Sequence, residues 1–161
     1  KLGFQIRTNQ INRQDLNLSE ELIELSMNAF CRPTPKYKTL KTILQTSEFF
    51  IKREIGCTDS SDGFYQAILD LCKESKCKAV IDYQKVPKKD FWPKGQIWDQ
   101  FYFFGGEDYE LLISLPKDWA TKLININKEI TEIGYFSQGT PSVEIKNYPN
   151  KNLDNISYSH F

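Results

Sequence analysis

Apolar residues along this chain recur either every three to four positions or in short unbroken runs, and the switches between the two patterns mark out its elements. Behind Ser19-Glu20-Glu21, which can cap and charge a helix start, Leu22, Leu25 and Ala29 share one helical face. That predicts a helix ending near Phe30, where Arg32-Pro33-Thr34-Pro35 breaks it, because each proline disfavours helix in the residue before it. A second helix is expected over Tyr37 to Gln45. Glu48 to Thr58 is rich in aromatic and β-branched residues and reads as a strand running into Asp59-Ser60-Ser61-Asp62-Gly63. Phe64, Ile68, Leu71 and Cys72 then fall at i, i+4, i+7 and i+8, one stripe of a long helix. Ala79 to Tyr83 reads as a short strand and Lys85 to Gly95 as a Pro- and Lys-rich loop. The apolar run Ile97 to Phe104 suits helix or strand and is taken as helix; Tyr109 to Leu115 is a buried strand. Pro116-Lys117-Asp118 opens a short helix over Trp119 to Ile124, and strands are expected over Glu129 to Phe136 and Ser142 to Tyr148. Lys1 to Leu16 has no strong periodicity and reads as a connection arriving from something upstream.

Helices and strands that intermix in this way, without an internal repeat, predict an α+β fold in which a mixed β-sheet is layered with α-helices. A length of 161 residues, 40% hydrophobic and 14% aromatic, suits one domain, 1–161, around one sizeable core. Lys and Arg (21) balance Asp and Glu (21), so no broad field draws the chain to nucleic acid or to an anionic membrane. Its apolar runs are too short for a spanning helix. Cys31, Cys57, Cys72 and Cys77 form no C-x-x-C pair and are expected to be reduced and mostly buried, which points to the cytoplasm. Lys85, Lys88 and Lys89 are expected to do no more than solvate their loop.

The single histidine, His160, removes metal sites built on paired histidines, and no G-x-x-x-x-G-K-[ST] loop is present. Carboxylate chemistry remains, and two acidic loops could supply it. Asp59-Ser60-Ser61-Asp62-Gly63 lies between a predicted strand and a predicted helix N-terminus, where backbone N–H groups and the helix dipole favour anions. Asp59 and Asp62 offer hard oxygen ligands suited to Mg²⁺, and Ser61 could donate to a phosphate; the same residues would also serve as ordinary helix caps. Gly105-Gly106-Glu107-Asp108-Tyr109-Glu110 crowds three carboxylates before a strand. Its glycines let backbone approach a ligand and Glu107 can point into a cleft, or the loop is simply a solvated acidic turn.

"DSSDG" followed by "GGEDYELL" resembles thiamine-monophosphate kinase, of the wider family that includes aminoimidazole ribonucleotide synthetase and selenophosphate synthetase. "RPTP" resembles that family's R-P-x-P, "DSSDG" its D-x-S-D-G, "GGEDYEL" matches its motif unchanged, and "ISYSHF" is similar to its aromatic-x-His-Phe ending. The resemblance covers essentially the whole chain as a C-terminal domain, and it implies an N-terminal nucleotide-binding domain, carrying further aspartates and the dimer contact, that lies outside this sequence. It further implies that Asp59 and Asp62 bind Mg²⁺, that Ser61 contacts ATP, that Glu107 and Tyr158 contact thiamine monophosphate, and that no side chain forms a covalent intermediate. The reaction implied is ATP-dependent phosphorylation of thiamine monophosphate to thiamine diphosphate, by a homodimer in the full-length protein. A sister ATP-dependent synthetase and a non-catalytic binding or assembly module of the same fold are the alternatives.

Overall fold

A computed structural model of the chain describes residues 2–16, 18–47, 55–90 and 92–149. Helix α1 (Leu2–Arg7) and a 3₁₀ turn (Arg13–Leu16) precede α2 (Glu20–Cys31) and α3 (Tyr37–Ser47). Strand β1 (Gly56–Asp59) leads into α4 (Phe64–Ser75) and β2 (Cys77–Asp82), then α5 (Gln96–Phe104), β3 (Leu111–Ser114), α6 (Lys117–Ile126), β4 (Gly134–Gln138) and β5 (Ser142–Lys146). β1 and β3 form an antiparallel pair, and β2 is the centre of a second sheet ordered β4-β2-β5, antiparallel to β4 and parallel to β5. The expected α+β character, a mixed sheet with helices, is what the structure has.

Three apolar clusters hold these elements. Ile68 and Cys72 of α4 meet Ala79 and Ile81 of β2 and Phe103 and Phe104 of α5 in one. Ile43 of α3 meets Trp119 and Leu123 of α6 in a second, flanked by Leu111 and Ile113 of β3. In it Trp119 Nε1 donates to the buried Thr46 Oγ1 at 2.9 Å, so the indole keeps its polar end satisfied while burying its ring. The third joins Leu2 and Ile6 of α1 to Ile23 of α2.

That third cluster corrects two expectations. The opening residues are helical rather than a featureless connection: Gly3 packs so closely on α2 that a Cβ there would lie 2.2 Å from the Ser26 carbonyl oxygen, and Phe4 meets Phe30 edge-on at 5.6 Å. A six-residue helix is stable only through such tertiary contact, which no local rhythm announces. Because α1 lies there, α2 buries Leu22 and Ile23 and leaves Leu25 exposed, a face rotated from the predicted one. Further along, β4 begins at Gly134, later than the expected Glu129; Asn127 starts a turn there, its Oδ1 accepting from Glu129 N–H and its carbonyl from Ile130 N–H. The strand expected from Glu48 falls partly on residues outside those described; its described part is strand over Gly56–Asp59.

All four cysteines are free, but Cys31 and Cys57 are exposed, Cys77 is half-buried and only Cys72 is buried, which corrects the expectation of mostly buried thiols. On β1, burial alternates along the strand and puts Cys57 on the outward side. The lysine loop is also more than solvated: Lys88 Nζ pairs with the buried Asp99 at 3.0 Å and lies 3.5 Å from the Tyr83 ring centroid, while Tyr83 donates to the same carboxylate oxygen at 2.7 Å. Among the described residues no helix is long and apolar enough to cross a membrane.

Candidate functional site

The two acidic loops meet because the strands that carry them pair. In the β1–β3 register Asp59 faces Leu111, so the residues after Asp59 and those before Leu111 leave the ladder side by side. Beyond that last rung the loops stay joined: Ser60 N–H donates to the Glu110 carbonyl at 3.0 Å, Glu110 N–H to Ser60 Oγ at 2.9 Å, and Glu107 N–H to the Ser61 carbonyl at 2.8 Å. Loops separated by more than forty positions thus form one edge.

The first loop is a compact turn. Asp59 Oδ1 accepts from Ser61 N–H at 3.3 Å and from Ser61 Oγ at 2.8 Å, and Gly63 N–H closes the turn on the Ser60 carbonyl at 3.0 Å. The Ser61 hydroxyl is therefore turned toward Asp59 here. The N-cap of α4 is Gly63, at φ 101° and ψ 148°, with no side-chain cap and no acidic residue in the first turn. Asp62 stands one position before that N-cap. A Cβ on Gly63 would lie 3.2 Å from the Gly105 carbonyl oxygen, in a backbone conformation that L-residues rarely adopt, so glycine is required by both loops at once.

The second loop is held in a costlier shape. Glu107 (φ 70°) and Tyr109 (φ 51°) both occupy the left-handed region, which non-glycine residues enter only where surroundings impose it. Tyr109 donates its hydroxyl to Glu107 Oε2 at 2.6 Å, fixing a carboxylate that is otherwise exposed. That hydrogen bond, with the Glu107 charge, raises the Tyr109 phenol above its ordinary pKa. Lys36, just past the Arg32-Pro33-Thr34-Pro35 break, pairs with Glu110 at 2.8 Å and offsets part of the crowded negative charge. Desolvation pushes the Asp108 carboxyl up and repulsion from Glu110 and Glu107 adds to it; the residue is exposed overall, so the repulsion is the cause its geometry supports. Tyr102, at the end of α5, is pushed up to about 12 by desolvation and by Asp108 and Glu110.

Of the residues singled out from sequence, Asp59, Ser61, Asp62 and Glu107 are brought to this edge; Tyr158 lies outside the described residues. Sequence reasoning missed Ser60, Tyr109 and Lys36. The 2-position spacing of Glu107 and Tyr109 carried a signal only for extended backbone, where both would point to one side; nothing local marks Lys36. Among the described residues no three His, Cys, Asp or Glu side chains gather as a metal-holding cluster.

No protein-family model matches the chain. Over 139 residues it is 34% identical to the thiamine-monophosphate kinase of Prochlorococcus marinus, covering 86% of this chain and 42% of that protein. A thiamine-monophosphate kinase of Synechococcus elongatus is 28% identical over 116 residues, 72% of this chain and 35% of the relative. The chain spans less than half the length of the curated relatives it matches. Its fold is similar to the crystal structure of thiamine-monophosphate kinase from Stenotrophomonas maltophilia (TM-score 0.67, 18% identity, 90% of this chain and 46% of that one). It is similar also to AaThiL complexed with AMPPCP and TMP (TM-score 0.64, 22% identity, 99% and 47%). By sequence and by fold alike, the chain corresponds to the C-terminal part of the thiamine-monophosphate kinase family, to which it belongs.

Proposed function

We propose that this chain is the C-terminal domain of a cytoplasmic, homodimeric kinase that transfers the γ-phosphoryl group of ATP to the phosphate of thiamine monophosphate, giving thiamine diphosphate and ADP. The observation that carries this reading is the joining of the Asp59–Gly63 and Gly105–Glu110 loops into one edge by the β1–β3 pair and the hydrogen bonds beyond it. Phosphoryl transfer between two anions asks for charge neutralisation, alignment and nothing covalent from the protein, and an edge with carboxylates for a metal beside a carboxylate for a cationic substrate suits that demand.

In this reading Asp59 and Asp62 hold Mg²⁺. Two carboxylates at one turn would suit Mg²⁺, which is commonly held by one or two carboxylates together with substrate phosphates. When bound, the ion neutralises the phosphate oxygens of ATP. Asp59 uses one oxygen, Oδ1, for both Ser61 bonds. Ser61 exchanges its Asp59 contact for an ATP phosphate oxygen. Glu107, aimed by Tyr109, accepts from the aminopyrimidine amine or balances the thiazolium, and Tyr158 stacks on a thiamine ring. The relatives' names and the AMPPCP and TMP complex support the substrate pair.

The test is direct. The full-length protein, given ATP, Mg²⁺ and thiamine monophosphate, is expected to form thiamine diphosphate at enzymatic rates, while residues 1–161 alone form little. A full-length protein that binds thiamine monophosphate without forming product would leave the non-catalytic alternative in its place.

A further inference from the structure

One buried polar side chain at this edge has no part in the reading above. Ser60 is 2% exposed, though it sits between residues assigned to metal and phosphate and is itself the variable position of the Asp-x-Ser-Asp-Gly run. The β1–β3 ladder ends at Asp59 and Leu111, so the next pair, Ser60 and Glu110, has no further strand to specify its register. The side chain supplies what the backbone no longer does. Ser60 N–H donates to the Glu110 carbonyl while Ser60 Oγ accepts from Glu110 N–H, so the two residues exchange a reciprocal pair of bonds, as an antiparallel rung would, with one acceptor taken from a hydroxyl. A second latch, Glu107 N–H to the Ser61 carbonyl, follows immediately.

We infer that Ser60 is a positioning residue: its hydroxyl fixes the register between the Asp59–Asp62 turn and the Glu107 loop, and so the spacing between the phosphoryl donor and the acceptor held on the two loops. This rests on the kinase reading. The physical basis is twofold. Removing Oγ from the buried Ser60 takes away the acceptor of a part-buried bond, so the Glu110 N–H must turn to water or another partner and the loop shifts. Reaction rates in a site that works by alignment fall steeply with small displacements, by about a hundredfold for roughly 1 Å.

The experiment compares Ser60→Ala and Ser60→Thr in the full-length protein with the wild type, well below the melting temperature of each and at saturating ATP, Mg²⁺ and thiamine monophosphate. Ser60→Ala should lower kcat by about tenfold to a hundredfold per folded molecule, with a smaller change in either KM, and Ser60→Thr, which keeps the oxygen, should recover most of it. In parallel, amide exchange of the full-length protein without substrate should show Glu107 and Glu110 exchanging at least about tenfold faster in Ser60→Ala. A Ser60→Ala protein that melts earlier yet keeps the wild-type kcat would make Ser60 a packing residue and overturn the inference. So would unchanged exchange at both amides. If Ser60→Ala does not fold, Ser60→Cys, which leaves a weaker acceptor, takes its place: a lowered kcat with faster exchange supports the latch, and a wild-type kcat or unchanged exchange overturns it. The outcomes separate from those of the functional reading: a wild-type enzyme without kinase activity sinks the kinase, whereas an active wild type with an equally active Ser60→Ala variant sinks only the latch.

Discussion

The two acidic loops reach the same edge by opposite routes. The Asp59–Gly63 turn is closed by its own atoms, Asp59 to Ser61 and Ser60 to Gly63, with the single left-handed residue a glycine. The Gly105–Glu110 loop places Glu107 and Tyr109 at positive φ although its two glycines lie just upstream, and it is held by Ser60, Ser61 and Lys36 from elsewhere in the chain. A turn closed largely by its own bonds carries most of its shape locally, whereas the second loop takes its shape in part from that turn. In the proposed kinase reading, that makes the substrate loop depend on the metal turn.

The sharpest way to break that comparison is at the turn. Asp62→Asn removes a charge from the proposed metal site while keeping the side chain's size, so kcat of the full-length enzyme should fall by about a hundredfold or more across a Mg²⁺ titration. Asp59→Asn should act likewise. Near-normal kcat in both would reduce the turn to structure. On the substrate side the effect should be graded. Glu107→Gln is expected to raise KM for thiamine monophosphate by roughly tenfold, about 1.4 kcal/mol, and Tyr109→Phe by about threefold through the lost 2.6 Å bond, with KM for ATP unchanged in each. Equal changes for the two substrates would show that the loops are not divided as described.

The smallest effect is in pH. Tyr102 is raised first by desolvation and further by the charges of Asp108 and Glu110: its folded-state pKa, about 12, stands above the unfolded value of about 10. The unfolded chain therefore gives up this proton first as pH rises, so the stabilisation is complete below pH 10 and is lost between 10 and 12. The urea midpoint of the wild type should fall relative to that of Tyr102→Phe over that window, because the variant has no phenol to titrate. Parallel midpoints would mean that the Tyr102 phenol is not raised in the folded chain.

How far the site was legible follows the same division. The first loop could be read because a strand, a D-x-S-D-G run and an amphipathic helix are all local signals, and α4 buries Ile68 and Cys72 of its predicted stripe. For the second loop the acidic residues were visible but their arrangement was not, since Glu107 and Tyr109 adopt a conformation that their own types disfavour and their neighbours enforce. Lys88 and Asp99 illustrate the limit in the core. Residue type alone placed Lys88 in water, but a carboxylate on α5, buried and shared with Tyr83, gives the ammonium an interior partner. Helix α1 was missed because its helicity depends on α2 rather than on its own six residues.

The order of strands has a bearing on how the chain comes off the ribosome. The central strand β2 is made before both of its neighbours, β4 and β5, which follow it by more than fifty positions. β1 finds β3 sooner, because Leu111–Ser114 emerges before any of Gly134–Gln138. Since domains acquire structure as they are synthesised and distant pairings close slowly, the nascent protein can bring its two acidic loops into register while the larger sheet is still one strand without partners. All residues of that edge are thus synthesised before the last two strands of the larger sheet.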